Sequence, residues 1–297
     1  MISKHKVYLY TAFSILFWAG SASAFKMALT VLTPLMLLWS SALISLTVMT
    51  LFLLWQGQIR QLRALSIREW AALLALGILN PFLYYIILFK AYALLPGQVA
   101  MSLNYLWPVV LALLSVPVLG HKLKARNLLA ITLSFTGALI IATRGEMVAI
   151  EGISGPGVAL ALASTLVWAL YWLLSARIQV TATVKLFTGF LSGGILTLLY
   201  GFFMLDEMLP ATGVPWGAML YVGVLEMGVT FFLWLKALQL ADSAAQIGNL
   251  IYLTPFLSLL FLALFLHEPI HGSTLTGLLV IIGGILAQQY WSGKESP

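Results

Sequence analysis

The chain has 297 residues, of which 62% are hydrophobic and 8% charged, and its mean hydropathy is +1.03. A soluble domain carries about 25% charged residues to cover its surface, so these values exclude a water-soluble globule and imply an integral membrane protein. Basic residues outnumber acidic ones 15 to 9 and cysteine is absent, which excludes disulfides and thiolate metal sites. The positive excess is expected in loops at one membrane face, not on nucleic acid.

A membrane-spanning helix needs ~20 mostly apolar residues. Apolar runs fall at residues 7–25, 34–55, 70–90, 98–119, 127–143, 156–176, 186–205, 216–236, 245–266 and 274–291. Continuous runs of helix length, without ten-residue alternation, predict an all-α membrane protein with ten transmembrane helices and not a barrel. The first run mimics a secretory signal, with Lys4 and Lys6 before an apolar core and Ala22-Ser23-Ala24 behind it. Its Leu16-Phe17-Trp18-Ala19 returns as Leu166-Val167-Trp168-Ala169 in the sixth run, so it is expected to be retained as the first span.

In chain order, the residues that could carry chemistry begin with Trp18, inside a span. Trp39, Trp55, Trp70, Trp216 and Trp291 lie near span ends, where interfacial belts are the ordinary explanation. Asn80 is a polar residue within the third run, and Tyr84 and Tyr85 follow it. Asn104-Tyr105-Leu106-Trp107-Pro108 interrupts the fourth run, because Pro108 has no N–H to donate and forces a bend or break. Tyr252-Leu253-Thr254-Pro255 repeats the feature in the ninth run, with Asn249 just before it, and makes Pro108 and Pro255 a pair of candidate hinges. Trp107 and Trp168 lie within spans, where an indole N–H needs a partner and favours a polar cavity over lipid; core packing is the plainer alternative for both and for Trp18. Tyr84, Tyr85 and Tyr105 could supply ring faces, and Asn104 or Asn249 amide groups.

Glu226 lies ten positions past Trp216, or ~15 Å along a helix and close to the bilayer midplane. An acid at that depth is costly and usually faces a cavity or a partner. Desolvation favours its protonated form, which suits either a proton-carrying coupling group or a hydrogen-bonded structural glutamate. His267-Glu268-Pro269-Ile270-His271 matches the zinc-protease pattern H-E-x-x-H. Pro269 disrupts the helix that pattern requires, and no third ligand is evident. An intramembrane metal enzyme is thus the unfavoured alternative, and no cofactor is expected.

The halves of the chain repeat. Trp70, Gly77, Asn80 and Lys90 align with Trp216, Gly223, Glu226 and Lys236 at an offset of 146, and Tyr105, Pro108, Ala130 and Gly137 with Tyr252, Pro255, Gly277 and Gly284 at 147. The expected units are a five-helix repeat at 1–145 and another at 155–297, and an odd number of spans places the second copy upside down. With the N-terminus inside, Lys4, Lys6, Arg60, Arg63, Arg68, Lys122, Lys124, Arg126, Arg177, Lys185, Lys236 and Lys294 are cytoplasmic, while Lys26, Lys90 and Arg144 are not; the asymmetry is twelve to three. Both termini are therefore expected in the cytoplasm.

Ten spans in two inverted five-span repeats, each with a proline-bearing fourth helix and a glycine-rich fifth, resemble the drug/metabolite transporter superfamily. Its Gly-Glu-like pair after the fourth span has imperfect counterparts in Gly120-His121 and His267-Glu268. Through Tyr105-Leu106-Trp107-Pro108 and Trp168 the chain is most similar to the bacterial aromatic amino-acid exporters of the YddG type. The resemblance implies an inner-membrane secondary transporter exporting small amphipathic metabolites, above all aromatic amino acids, by alternating access. Trp107, Trp168, Tyr105, Asn104, Tyr84, Asn80, Trp18, Tyr252 and Asn249 would form the substrate site, and Glu226 would couple transport to protons. An exporter of drugs or organic cations, with Glu226 as counter-charge, stays open as the alternative.

Overall fold

The computed structural model describes residues 2–119, 125–142, 153–208, 212–240 and 249–293. Arg144, Lys294, residues 120–124 of the expected basic loop and the beginning of the ninth apolar run lie outside them. Every regular element among the described residues is helical. Helix α1 covers Ile2–Leu29, α2 Pro34–Trp55, and α3 the short Ile59–Ala64. Helix α4 (Ile67–Gly77) runs through a π-helical turn (Ile78–Leu83) into α5 (Tyr84–Leu94). Helices α6 (Gly97–Asn104) and α7 (Trp107–Leu119) form one interrupted rod, followed by α8 (Ala125–Ala142), α9 (Gly155–Ala176) and α10 (Ala182–Phe203). Helix α11 (Trp216–Leu220) passes through a second π-helical stretch (Tyr221–Val229) into α12 (Thr230–Leu240). A 3₁₀ turn (Asn249–Leu253) leads into α13 (Thr254–Leu266), and α14 covers Gly272–Gly293.

Among the described residues, seven helical segments are long and apolar enough to cross a bilayer: 5–29, 34–55, 67–94, 97–118, 155–176, 182–203 and 216–237. Three shorter apolar helices, 131–141, 250–266 and 272–287, accompany them. The protein is a multi-pass membrane protein. Its exposed leucines and phenylalanines, such as Phe203, Leu139 and Leu264, are what a lipid-facing surface requires.

Local chemistry sets where the helices begin. Thr33 accepts from the Met36 N–H at 3.1 Å with Pro34 opening α2. Ser66 and Glu69 form a reciprocal capping box on α4, and Ser154 accepts from the Gly157 N–H ahead of α9. Each satisfies a donor that a helix start leaves orphaned.

The most extensive helix pairings all join an element before residue 145 to one after 155: α8 with α14, α1 with α12 and α13, α2 with α10 and the second π stretch, α5 and α7 with α9, α4 with α10. The main hydrophobic core draws on both halves. Glycines make the closest of these approaches possible. A Cβ on Gly137 would lie 2.5 Å from the Gly277 carbonyl and one on Gly277 2.5 Å from that of Gly137, so α8 and α14 touch backbone to backbone.

Both expected interruptions are present, and each break comes before its proline. Helix α6 ends at Asn104, Tyr105-Leu106 turn, and Pro108 is the second residue of α7. Pro255 likewise is the second residue of α13, after the 3₁₀ turn. Proline is tolerated in a first helical turn, where its missing N–H costs nothing. The chain therefore restarts a helix at Trp107 and at Thr254, positions 147 apart.

Candidate functional site

A cavity of about 330 Å³ opens between α1, α5, α6–α7, α9, the second π stretch, α12 and α13. Half of its described lining residues are aromatic, and Glu226 is the one acidic residue among them. The lining contains no lysine, arginine or histidine among the described residues.

Glu226 is placed by its backbone. The π-helical stretch widens the helix at Tyr221–Val229, an irregularity that often marks functional positions. Helix α2 fixes it from behind: the Ser45 hydroxyl donates to the Gly223 carbonyl at 2.7 Å, and Ile44 packs where a Gly223 side chain would be. The carboxyl is buried, 5% exposed. One oxygen accepts from the Tyr85 hydroxyl at 2.9 Å, while Oε2 has no hydrogen-bond partner.

Tyr84 and Tyr85 reach the cavity because of the kink before them. Asn80 leaves the helical conformation (φ −142°, ψ 119°) and Pro81 follows, so α5 restarts at Tyr84 in a new direction. The Tyr84 hydroxyl donates to Asn104 Oδ1 at 3.2 Å, and Asn104 Nδ2 donates to the Ser164 hydroxyl at 2.8 Å, tying α5, α6 and α9 together. The Tyr84 ring stacks on Trp168 at 4.4 Å, and Trp168 also meets Tyr171, Trp172 and Phe231. Trp18 packs against Phe231 and Trp234.

Of the residues expected in the site, Trp18, Tyr84, Asn104, Tyr105, Trp107, Trp168 and Glu226 line this cavity. Asn80 does not. It is buried at the kink, and Pro81 beside it packs where a Gly193 side chain on α10 would be, away from the cavity. Tyr252 is also buried outside the lining, because the tighter 3₁₀ turn presents its neighbour Ile251 instead. The Asn249 side chain lies outside the described residues. Tyr85 lines the wall, and its hydroxyl engages Glu226. Trp172, Trp234, Tyr92 and Ser258 are among the lining residues that the sequence reading does not include. Helical spacing could have found three of them: Trp172 follows Trp168 by one turn, Ser258 follows Thr254 by one turn, and Trp234 follows Glu226 by two.

A polar cluster ties the helices together near the Phe25, Tyr92 and Ser258 end of the cavity. Lys26 donates to the Tyr92 and Leu95 carbonyls at 3.0 Å each, ending α5. Glu268 accepts from the Gly97 N–H at 3.2 Å and the Gln98 N–H at 3.4 Å, capping α6. The Gln98 amide donates to the Pro269 carbonyl at 2.7 Å and accepts from the His271 N–H at 3.2 Å. Glu268, the central residue of the zinc-like pattern, thus spends its carboxylate on a helix start. His267 takes the left-handed conformation (φ 53°) that turns the chain out of α13.

The sequence pattern of the EamA-like transporter family matches residues 5–143 and again 155–287. The chain is 26% identical over 291 residues to the uncharacterized transporter YvbV of Bacillus subtilis, covering 96% of this chain and 92% of that one. It is 26% identical over 210 residues to the aromatic amino acid exporter YddG of Ancylobacter novellus, covering 70% and 72% of the two. A solved crystal structure superposes with a TM-score of 0.69 at 24% identity over 98% of this chain and 99% of that one, which establishes the shared fold.

Proposed function

The chain belongs to the EamA-like transporter family, and from that premise we propose that it is a secondary transporter exporting small amphipathic metabolites, aromatic amino acids foremost, across the inner membrane. The observation that carries this reading is the aromatic cavity with a single buried acid. Rings such as Trp107 and Trp18 would hold the substrate ring, each stacked pair contributing about 0.5–1.5 kcal/mol beyond buried area. Contacts of that size leave affinity modest, as a carrier that must release its cargo requires. A relative with the aromatic-exporter name supports the substrate class.

In this reading the chain crosses the bilayer ten times, as inverted repeats at 1–145 and 155–297 with both termini cytoplasmic. Two observations support it. The family pattern matches twice, and the irregularities recur at the repeat offset: a π turn in each third span, at Asn80 and Glu226, and a helix restart in each fourth, at Trp107 and Thr254. The most extensive helix pairings cross between the halves, which supports a cavity between two repeats that rock against each other in alternating access. Glu226 is the coupling group in this scheme, exchanging a proton as the cavity changes sides.

Flux in proteoliposomes against a panel of amino acids tests the function. Counterflow of phenylalanine, tyrosine or tryptophan is expected, and Glu226→Gln should abolish its dependence on the proton gradient. Absence of any aromatic flux by well-folded protein would refute the substrate class, and wild-type gradient dependence in Glu226→Gln would remove the coupling role.

A further inference from the structure

We propose that the cavity recognises the amine of its aromatic amino-acid cargo through Glu226 and, among its described lining residues, offers the carboxylate no counter-charge, so that aromatic monoamines without a free carboxylate (decarboxylated amino acids and their amides and esters) bind more tightly than the amino acids themselves. This rests on the cavity being the substrate site and adds which end of the substrate is read.

The first observation is the vacant acceptor on Glu226. Oε1 is held by the Tyr85 hydroxyl at 2.9 Å, while Oε2 is buried in the wall with no partner. A buried acceptor left empty is costly, and a ligand N–H satisfies it. The aromatic surroundings suit the same group, since ring faces of Trp18 and Trp234 attract a cation.

The second observation is what the lining does with negative charge. No lysine, arginine or histidine lines the cavity among the described residues. Lys26, near its Phe25, Tyr92 and Ser258 end, is committed to the Tyr92 and Leu95 carbonyls. Three of the neutral donors are committed as well: the Tyr84 hydroxyl to Asn104, the Asn104 amide to Ser164, the Tyr85 hydroxyl to Glu226 itself. An α-carboxylate entering here joins an acid already present and finds only uncharged donors, such as the Ser258 hydroxyl, which has no partner in the protein. Burying an unpaired charge is strongly unfavourable. Removing that charge, by decarboxylation or by forming the amide, is therefore expected to strengthen binding, whereas removing the amine abolishes it. Discrimination of this kind comes from the repulsive element as much as the attractive one.

Calorimetric titration of the purified full-length protein with four probes sharing one ring tests this: phenethylamine, phenylalaninamide, phenylalanine and 3-phenylpropionate. The amine and the amide are expected to bind at least tenfold tighter than phenylalanine, and 3-phenylpropionate not measurably. Glu226→Gln should lower phenethylamine affinity at least tenfold, and Glu226→Asp should keep the order of the series. The wild-type series stands without any variant, so a misfolded mutant does not remove the test. Phenylalanine binding as tightly as its amide overturns the proposal. Equal binding of all four probes overturns it too, leaving an aromatic site that ignores the amine. If none binds, the reading of this cavity as an aromatic substrate site falls with it.

Discussion

Tyr85 and Glu226 are 141 residues apart in sequence and share a 2.9 Å hydrogen bond in the cavity wall, the phenol donating to a carboxyl oxygen whose twin has no partner. The bond joins the kinked third span of one half to the third span of the other. Neither residue holds its position alone: the kink at Asn80-Pro81 turns Tyr85 inward, and the π-helical stretch turns Glu226 to meet it.

Tyr85→Phe leaves the buried acid with both oxygens unpaired. The cost of such a group is about 1–3 kcal/mol, so the melting temperature of the detergent-purified variant is expected to fall by several degrees. A Tyr85→Phe protein as stable as wild type would mean that the bond contributes nothing to the fold.

The cluster around Glu268 predicts a change in accessibility. Glu268 and Gln98 join the start of α6 to the turn after α13, at the end of the cavity where Ser258 lies. The chain has no cysteine, so Ser258→Cys is the only thiol in that variant. Adding Glu268→Ala should raise its labelling rate by an impermeant maleimide from the side of residues 267–271, by several-fold, with no rise from the other side. Equal rates with and without Glu268 would show that the carboxylate does not hold that end shut.

The α8–α14 seam should tolerate no side chain at Gly277. A Cβ there meets the Gly137 carbonyl at 2.5 Å, and overpacking of this kind costs about 1–3 kcal/mol. Gly277→Val is expected to lower the yield of monodisperse protein sharply. Gly283→Ala on the same helix meets nothing within 4 Å and should be neutral or slightly stabilising, since alanine favours a helix over glycine. Comparable behaviour of the two variants on size-exclusion chromatography would contradict the close approach.

Much of this was legible in the sequence because membrane physics writes in composition. Apolar runs marked an all-helical membrane protein, and the repeated Tyr-Leu-x-Pro marked both interruptions, although each helix restarts just before its proline, at Trp107 and Thr254. The depth of Glu226 and the within-span tryptophans Trp18, Trp107 and Trp168 pointed to four lining residues. Asn80 aligns with Glu226 but does not line the cavity, because an aligned position carries a shared backbone irregularity and not a shared side-chain direction. At Asn80 the proline after it rotates the kink toward α10. Tyr252 aligns with Tyr105 and is outside the lining too, and the 3₁₀ turn changes its angular position by about 20° per residue relative to an α-helix. Trp172 and Trp234 were overlooked because an apolar span offers no polar face against which to judge which tryptophans point inward.

The two tryptophans at the centre of the site should respond differently to removal. Trp168 is 8% exposed, stacked on Tyr84 at 4.4 Å and packed against Phe231. It supports the wall and holds Tyr84, whose hydroxyl reaches Asn104. Trp168→Ala therefore removes a large core side chain, costing about 3–5 kcal/mol, and should reduce stability and transport together. Trp107 is only partly buried, takes part in none of these ring contacts, and stands at the restart of α7 facing the cavity. Trp107→Ala should keep most of the melting temperature while losing aromatic amino-acid flux at least tenfold, with the loss in substrate affinity. Trp55, 78% exposed at the end of α2, is the control and Trp55→Ala should be nearly silent in both. Flux at matched expression, read beside thermal unfolding, separates the three. If Trp107→Ala transports normally, its ring is packing and the substrate lies elsewhere in the cavity; if it melts as early as Trp168→Ala, the division between support and contact is wrong.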